Sequence, residues 1–130
     1  MSSCPFCDPP ADRVVFEEKR VYGLWDGYPV TPGHALIIPR RHVSSLFEAT
    51  PEEQANLMAA LPIVRARVLE VHPDIAGFNI GINDGRAAGQ TVDHLHIHLI
   101  PRYVGDHPDP TGGVRQVIPE KANYLRARSQ

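Results

Sequence analysis

The sequence lacks a long hydrophobic run, a block of like charge and more than two cysteines. No segment approaches the roughly 20 apolar residues that cross a bilayer, and the chain does not open on a basic stretch followed by an apolar one, so we expect a cytoplasmic protein with no membrane partner. Thirteen Lys and Arg against fifteen Asp and Glu give a net charge of -2. This balance argues against a nucleic-acid partner. Two cysteines close together cannot form the disulfide framework of a small secreted domain.

The composition is otherwise that of an ordinary folded domain. The length of 130 residues suits one domain, residues 1–130, and 42% hydrophobic with 22% charged residues is typical of globular chains. Thirteen prolines and ten glycines predict many turns and short elements. The unusual count is histidine, with seven residues.

Short apolar runs predict the first strands. The runs 14–16 and 21–25 are separated by four charged residues, a pattern typical of a hairpin. Segment 26–33 contains two prolines and two glycines, which predicts a loop. The loop leads to a buried strand over 35–38. Later, Phe78, Ile80 and Ile82 alternate with small or polar residues, as in a half-buried strand.

One long helix is predicted between these strands. The sequence 50–53, Thr-Pro-Glu-Glu, supplies a capping hydroxyl, a proline at the first helical position and a glutamate at the third. We expect the helix to run to about Val71 and to kink at Pro62. Four apolar residues recur at helical spacing and are expected to face the core: Met58, Leu61, Val68 and Leu69.

Segment 94–102 carries three histidines at alternate positions. Side chains alternate faces along a strand, so His94, His96 and His98 are expected on one face and the apolar residues between them on the other. Successive histidines would stand roughly 6.6 Å apart, close enough to share one small anionic ligand. The pattern therefore predicts a site.

Two other interpretations of the histidines stay open. They could be surface residues on an edge strand, or a three-histidine centre that binds zinc or iron and leaves one position for water. The preceding segment, 85–92, is a glycine-containing turn with amide and hydroxyl side chains. Such a turn suits phosphate oxygens better than a metal ion and favours an anion site.

Segment 89–102, Gly-Gln-Thr-Val-Asp-His-Leu-His-Ile-His-Leu-Ile-Pro-Arg, resembles the signature of the histidine triad (HIT) family of nucleotide hydrolases and transferases. Segments 26–32, 33–42 and 79–83 also resemble the family in order and spacing. The resemblance covers residues 4–102. It implies an α+β HIT-like fold, with an antiparallel sheet and one long helix, in a symmetric homodimer.

The resemblance implies an enzyme that acts at the α-phosphate of a nucleotide. His96 would attack the phosphorus, expel the leaving group and form a nucleotidyl-histidine that water hydrolyses. Attack requires a neutral imidazole, and a hydrogen bond to a backbone carbonyl would fix its tautomer. Dinucleoside polyphosphates such as diadenosine tetraphosphate are the leading substrates, followed by nucleoside phosphoramidates. A nucleotide-binding regulatory protein with only residual hydrolysis is the alternative.

Further positions match family residues around the nucleotide. His94 and His98 would complete the catalytic group, with His98 also bonding phosphate oxygens. Asp26 would hold the ribose hydroxyls, or else serve as a turn residue before a glycine. His34 would contact the triad or the phosphate, or be a structural histidine. The remaining phosphate contacts would come from the loop before the triad: Asn83, Gly89, Gln90 and Thr91, with Gln90 able to hold the leaving oxygen.

The two cysteines, in Cys4-Pro5-Phe6-Cys7, have the spacing of half a zinc site. The zinc-bearing members of the family and the related uridylyltransferases imply the ligand set Cys4, Cys7, His42 and His94. A closed set of four ligands indicates structural zinc, which would pin the N-terminus, residues 1–10, against the catalytic strand. Two reduced thiols or a redox pair are the alternatives. The C-terminal tail, residues 103–130, resembles a bacterial branch of the family.

Overall fold

The computed structural model describes residues 4–125, which form an antiparallel five-stranded sheet with one long helix. The helix, α1, is Pro51–Val71. The strands are β1 (Val14–Glu17), β2 (Val21–Trp25), β3 (Ala35–Pro39), β4 (Gly77–Gly81) and β5 (Ile97–Arg102). They lie in the order β1-β2-β3-β5-β4. The expected α+β fold is confirmed, and no helix within residues 4–125 is long and apolar enough to cross a membrane.

The strands agree with the sequence predictions except at β4 and β5. β4 ends at Gly81, before Ile82, and Ile80, expected to face inward, is 49% exposed. The first hairpin is present, with Val14 opposite Leu24. β5 begins only at Ile97, so His94 and His96 precede the strand instead of lying within it. The backbone groups here bond partners outside the strand pairs of β5: the His94 carbonyl accepts from the His96 ring, and the Leu95 amide donates to the Val43 carbonyl. The predicted strand over 94–102 is therefore three residues too long at its start.

The N-terminus of α1 is fixed by a capping box. The Thr50 hydroxyl accepts from the Glu53 amide at 3.0 Å, and the Glu53 carboxylate accepts from the Thr50 amide at 2.8 Å. Arg41 donates two further hydrogen bonds to the same carboxylate, at 2.9 and 2.7 Å. The Arg41 bonds and the Thr50 amide lower the pKa of Glu53 from 4.5 to about 2. The helix start is thereby tied to the segment that follows β3.

One face of α1 packs on the sheet. Its buried apolar residues follow the helical period: Leu57, Ala60, Val64 and Val68. The expectation for Val68 is confirmed, Leu61 and Leu69 are half-buried, and the expectation for Met58 is wrong, since Met58 is 63% exposed. Met58 follows Leu57 by one residue and so points about 100° away from the buried face.

Close approach of α1 to the sheet depends on a glycine in β2. A Cβ atom on Gly23 would lie 2.6 Å from a methyl carbon of Val64. The absence of a side chain there allows the helix to pack directly on the strand. The sequence pattern predicted the strand but gave no sign of this contact.

The opposite face of the sheet is covered by the two ends of the chain. Near β2 and β3, Phe6 packs on Leu24, Leu36 and Ile38. Near β4 and β5, the segment after β5 folds back, and its short 3-10 helix Gly113–Val117 lies against β4. A central strip of this face between the two ends carries the histidines.

Replacing Glu53 by Gln should lower the free energy of unfolding by about 1–2 kcal/mol near neutral pH. The folded pKa of about 2 lies below the usual 4.5, so the ionised carboxylate stabilises the fold above pH about 4.5 and this contribution is lost as the pH falls toward 2. Urea unfolding across pH measures the difference between the two proteins. It should shrink steadily in acid.

Glu52→Gln is the matched control, because Glu52 is a neighbouring carboxylate whose pair with Arg20 is exposed to solvent. Its effect should be small at every pH. A Glu53→Gln effect that stays constant from neutral pH down to about pH 3 would contradict the assigned role of the carboxylate.

Candidate functional site

Three histidine rings meet on the sheet face that α1 leaves uncovered. His98 lies in β5, opposite Leu36 of β3 and Gly81 of β4. The His98 ring centroid is 5.0 Å from that of His96 and 5.1 Å from that of His34, the residue just before β3. His34 and His96 are buried, at 3% and 7% exposure. The fold thus brings together two of the predicted triad members and the separate His34.

The protonation pattern of His96 follows from its backbone partner. His96 Nδ1 lies 2.8 Å from the carbonyl oxygen of His94. A carbonyl oxygen can only accept, so Nδ1 must carry the ring proton. In the neutral ring, Nε2 then holds an unshared electron pair, which is the form that can attack phosphorus. The carbonyl contact required by the sequence analysis is present.

His34 and His98 form a directed hydrogen-bond chain. The Val30 amide donates to His34 Nδ1 at 3.0 Å, so the proton of a neutral His34 ring lies on Nε2. His34 Nε2 donates to His98 Nδ1 at 2.9 Å, which leaves the His98 proton on Nε2. Burial, then the rings of His96 and His34, lower the pKa of His98 from 6.5 to about 4. His98 is therefore a neutral donor near pH 7.

Asp26 stands beside this chain. One carboxylate oxygen accepts from the Tyr28 amide at 2.8 Å, which is the turn role expected for Asp26. The other oxygen lies 3.3 Å from His34 Nε2. Burial lowers the pKa of His34 and the Asp26 charge opposes that shift. The carboxylate thus lies next to His34, at the first residue of the 26–33 loop.

Ligand atoms of Asp26, His34 and His98 lie within 4.8 Å of one another, as a metal site would require. Their hydrogen bonds favour a different use. Coordination through His34 Nε2 needs the proton on Nδ1, but the Val30 amide already points its hydrogen at Nδ1. The group fits a proton-donor chain better than a catalytic metal centre.

The loop before the triad is organised by Gln90. Its side-chain oxygen accepts from the Gly85 amide, and its nitrogen donates to the carbonyls of Ser44 and Val92. Gln90 is 8% exposed. Both amide hydrogens are used, so contact with a leaving oxygen would require this side chain to break its present bonds. In this structure Gln90 positions the loop.

Other loop residues differ in placement. Gly89 has a φ of +92°, in the left-handed region that glycine adopts without strain. Thr91 is exposed next to Gln90, and Asn83 lines a cavity of about 650 Å³ together with His34 and His98. The loop therefore borders the histidines on the β4 side.

The two cysteines meet His42 and His94 at the other end of the triad. The Nδ1 atoms of the two histidines are 3.2 Å apart, Cys7 Sγ is 3.3 Å from His42 Nδ1, and Cys4 Sγ is 3.4 Å from His94 Nδ1. His94 Nε2 donates to the Pro39 carbonyl at 2.8 Å, so an unshared pair on Nδ1 faces the sulfurs. All four predicted ligands are together.

The donor set fits zinc. A tetrahedral ion with bonds of about 2.0–2.3 Å places its ligand atoms roughly 3.3–3.8 Å apart. The nitrogen and sulfur distances here range from 3.2 to 3.6 Å. Burial also lowers the pKa of His94, which keeps its ring in the neutral form that metals bind. The four side chains could hold one metal ion.

Sequence reasoning missed the backbone groups of this site. The Val30 amide orients His34, and the Pro39 carbonyl orients His94. Neither leaves a side-chain pattern in the sequence. The cavity residues of the C-terminal tail, including Val114, Gln116 and Val117, were also missed, since a tail folding back over the sheet has no local signal.

Comparison with known proteins places these residues in a family. Residues 10–105 match the HIT domain. The chain is 41% identical over 98 residues to an AP-4-A phosphorylase of Mycobacterium tuberculosis, covering 72% of this chain and 48% of that protein. It is 39% identical over 98 residues to a bis(5'-nucleosyl)-tetraphosphatase [asymmetrical] of Schizosaccharomyces pombe, covering 75% and 53%. The chain spans about half the length of these curated relatives.

A solved structure extends the likeness to the ends of the chain. The crystal structure of a Zn-bound histidine triad family protein from Mycobacterium smegmatis is 36% identical, covers 98% of both chains and superimposes with a TM-score of 0.68. The match of the HIT domain covers more than half of this chain and includes His34, His96 and His98. The chain therefore belongs to the HIT domain family.

Proposed function

We propose that this protein is a nucleotide hydrolase or nucleotidyl transferase that acts at an α-phosphate through a covalent nucleotidyl-His96 intermediate. The observation that carries the proposal is the His96 Nδ1 bond to the His94 carbonyl, which leaves Nε2 unprotonated beside the donor His98. The names of two relatives, an AP-4-A phosphorylase and a bis(5'-nucleosyl)-tetraphosphatase, support the same chemistry.

The first step forms one bond and breaks one. His96 Nε2 attacks the α-phosphorus, and the bond from phosphorus to the leaving group breaks with its electron pair going to the leaving group, which takes a proton from solvent. His98 Nε2–H and the Asn83 side chain donate to the phosphate oxygens as charge builds up. The His94 carbonyl holds the proton on Nδ1 and stabilises the positive charge that attack places on the ring.

The second step returns the enzyme to its starting form. Water attacks the phosphorus of the nucleotidyl-histidine and releases a proton to solvent, and the bond to His96 Nε2 breaks with its electron pair returning to Nε2. Nδ1 keeps its proton through both steps because its carbonyl partner does not move away. The neutral tautomer is therefore restored without a proton transfer across the ring.

The substrates proposed are dinucleoside polyphosphates, such as diadenosine tetraphosphate, and then nucleoside phosphoramidates. Asp26 would bond the ribose hydroxyls with the carboxylate oxygen that faces His34, while Gly89 and Thr91 would contact phosphate. The second candidate, a nucleotide-binding regulatory protein, would use the same contacts without significant turnover. Turnover measurements separate the two.

The proposal includes a cytoplasmic homodimer with no nucleic-acid or membrane partner. Exposed large apolar side chains of α1 support self-association: Met58, Ile63 and Val71, at 63%, 41% and 60% exposure. Exposed apolar residues on one helix favour burial against another protein surface.

We also propose that Cys4, Cys7, His42 and His94 hold a structural zinc ion. When bound, the ion would supply a cross-link between the N-terminal segment and the residues before β5. The donor distances and the Zn-bound relative support it. The chemistry at phosphorus belongs to His96 and its neighbours.

His96→Ala should reduce kcat by about 10⁴-fold or more and change nucleotide affinity by only a few fold, because the variant loses the nucleophile but keeps the phosphate donors. Mass spectrometry of the rapidly quenched wild type should show a nucleotidyl adduct on His96. His72→Ala, a histidine outside the site, is the control. Turnover retained in His96→Ala would exclude the covalent mechanism.

The wild type should cleave a dinucleoside polyphosphate, a phosphoramidate, or both, when the two are assayed side by side. If both remain intact at high enzyme concentration while nucleotide still binds, the regulatory-protein function replaces the hydrolase. A loss of bound metal in His96→Ala would instead point to a catalytic metal centre.

The purified wild type should contain about one zinc per chain, and Cys7→Ser and His42→Ala should contain much less. His42 is exposed, so its replacement tests the metal with little risk to folding. Elemental analysis and the chelator dependence of Tm measure the effect, with His72→Ala as control. Equal zinc in wild type and Cys7→Ser would refute the four-ligand site.

A further inference from the structure

We propose that the segment 106–117, here called the tail segment, forms with β5 a binding site for the second nucleoside of the leaving group. The inference rests on the proposed function and specifies which part of a dinucleoside polyphosphate this cavity takes. The ligand class is a neutral, flat nucleobase with its ribose. A terminal phosphate is a poor match for the same walls.

The cavity extends from His34 and His98 to the tail segment. Its volume is about 650 Å³, within the range of small-molecule sites. His34 and His98 line one end, and Val114, Gln116 and Val117 line the other. A ligand that reacts at the histidines can therefore extend into the cavity without leaving the protein surface.

The direction of reaction points the leaving group toward this cavity. His98, Ile100 and Arg102 lie on the same face of β5 and lead from His96 toward the tail segment. The attacking and leaving atoms must be roughly in line at phosphorus. His98 lines the cavity and His96 does not, so a leaving group in line with His96, across a phosphorus bonded by His98, would extend toward the cavity.

Apolar side chains line the cavity at both of its ends. Val30, Val114 and Val117 are 70%, 62% and 80% exposed, yet all three border the same space. Exposed apolar side chains that converge on one cavity favour an apolar ligand surface there. The amides of Asn79 and Gln116 provide polar contacts at the edge, as a nucleobase requires.

The one guanidinium of the cavity wall is already neutralised. Arg102 donates two hydrogen bonds of 2.8 Å to the Asp106 carboxylate and one of 2.6 Å to the Asn79 oxygen. Asp106 cancels its charge, so this guanidinium offers no net positive charge to a further phosphate. The cavity consequently suits the uncharged end of a dinucleotide.

The tail segment has a defined shape before any ligand binds. Asn123 donates to the Asp109 carboxylate at 2.8 Å, and Gly112, with a φ of +91°, packs so closely that a Cβ atom would overlap the Ala122 carbonyl oxygen. A preformed wall costs little ordering entropy on binding. This order distinguishes the tail segment from a loose chain end.

The test compares two double variants for binding to two ligands. Val114→Asn with Val117→Asn removes the apolar wall without adding charge. Val104→Asn with Ile118→Asn changes two exposed valine or isoleucine residues next to the tail segment that do not line the cavity. The ligands are a methylene-bridged, nonhydrolysable diadenosine tetraphosphate and AMP, and calorimetry measures both Kd values.

The wall variant should bind the dinucleotide analogue about tenfold more weakly than wild type and AMP within about twofold, while the control variant binds both within about twofold. Equal weakening for both ligands would overturn the inference, because the cavity would then hold the attacked nucleoside. No weakening, or a wild type that binds the dinucleotide no better than AMP, would overturn it as well.

The inference and the proposed function fail in different ways. The binding assay needs no turnover, so it judges the cavity even in an inactive protein. The His96→Ala adduct and kcat measurements judge the chemistry alone. For an active enzyme, the wall variant should also retain wild-type kcat/KM with a phosphoramidate of small amine leaving group, which does not reach the cavity.

Discussion

The hydrogen bond between His96 Nδ1 and the His94 carbonyl is the contact on which the site depends. A backbone acceptor cannot exchange its role for that of a donor, so it selects one tautomer without any titratable partner. His94 itself turns its ring Nδ1 toward the cysteines, while its Nε2 donates to the Pro39 carbonyl. His94 thus connects His96, the proposed nucleophile, to the Cys4–Cys7–His42 cluster through three separate atoms.

A similar use of backbone groups orients the second half of the site. The Val30 amide fixes His34, and His34 fixes His98, so the position of the proton on His98 Nε2 is determined by a backbone group of a separate loop. Burial lowers the pKa of both rings, which keeps this chain neutral and its direction unchanged near pH 7. Backbone geometry, rather than paired charges, sets the donors and acceptors.

The sequence predicted what depends on local pattern. Alternation placed Leu95, Ile97 and Leu99 in the core, and the capping residues located the start of α1 correctly. It placed Met58 wrongly, because only the packed helix decides which neighbouring apolar positions face the sheet. The histidines of the site were predicted through their spacing and family resemblance. The sequence did not predict that the Gln90 side chain turns inward, since one of its partners, the Ser44 carbonyl, lies 46 residues away in the chain.

The arrangement of the chain ends explains how one sheet face serves two purposes. Phe6 closes the β2–β3 half with apolar contacts, and its ring lies 5.1 Å from the His96 ring, which shields that side of the imidazole from water. On the other half the chain returns after β5 past the Arg102–Asp106 pair, and residues of this returning chain and of β4 and β5 line the cavity. For His96 as the proposed nucleophile, this arrangement leaves one side open to an approaching phosphorus. In the proposed reaction, attack and departure of the leaving group would then follow a single direction.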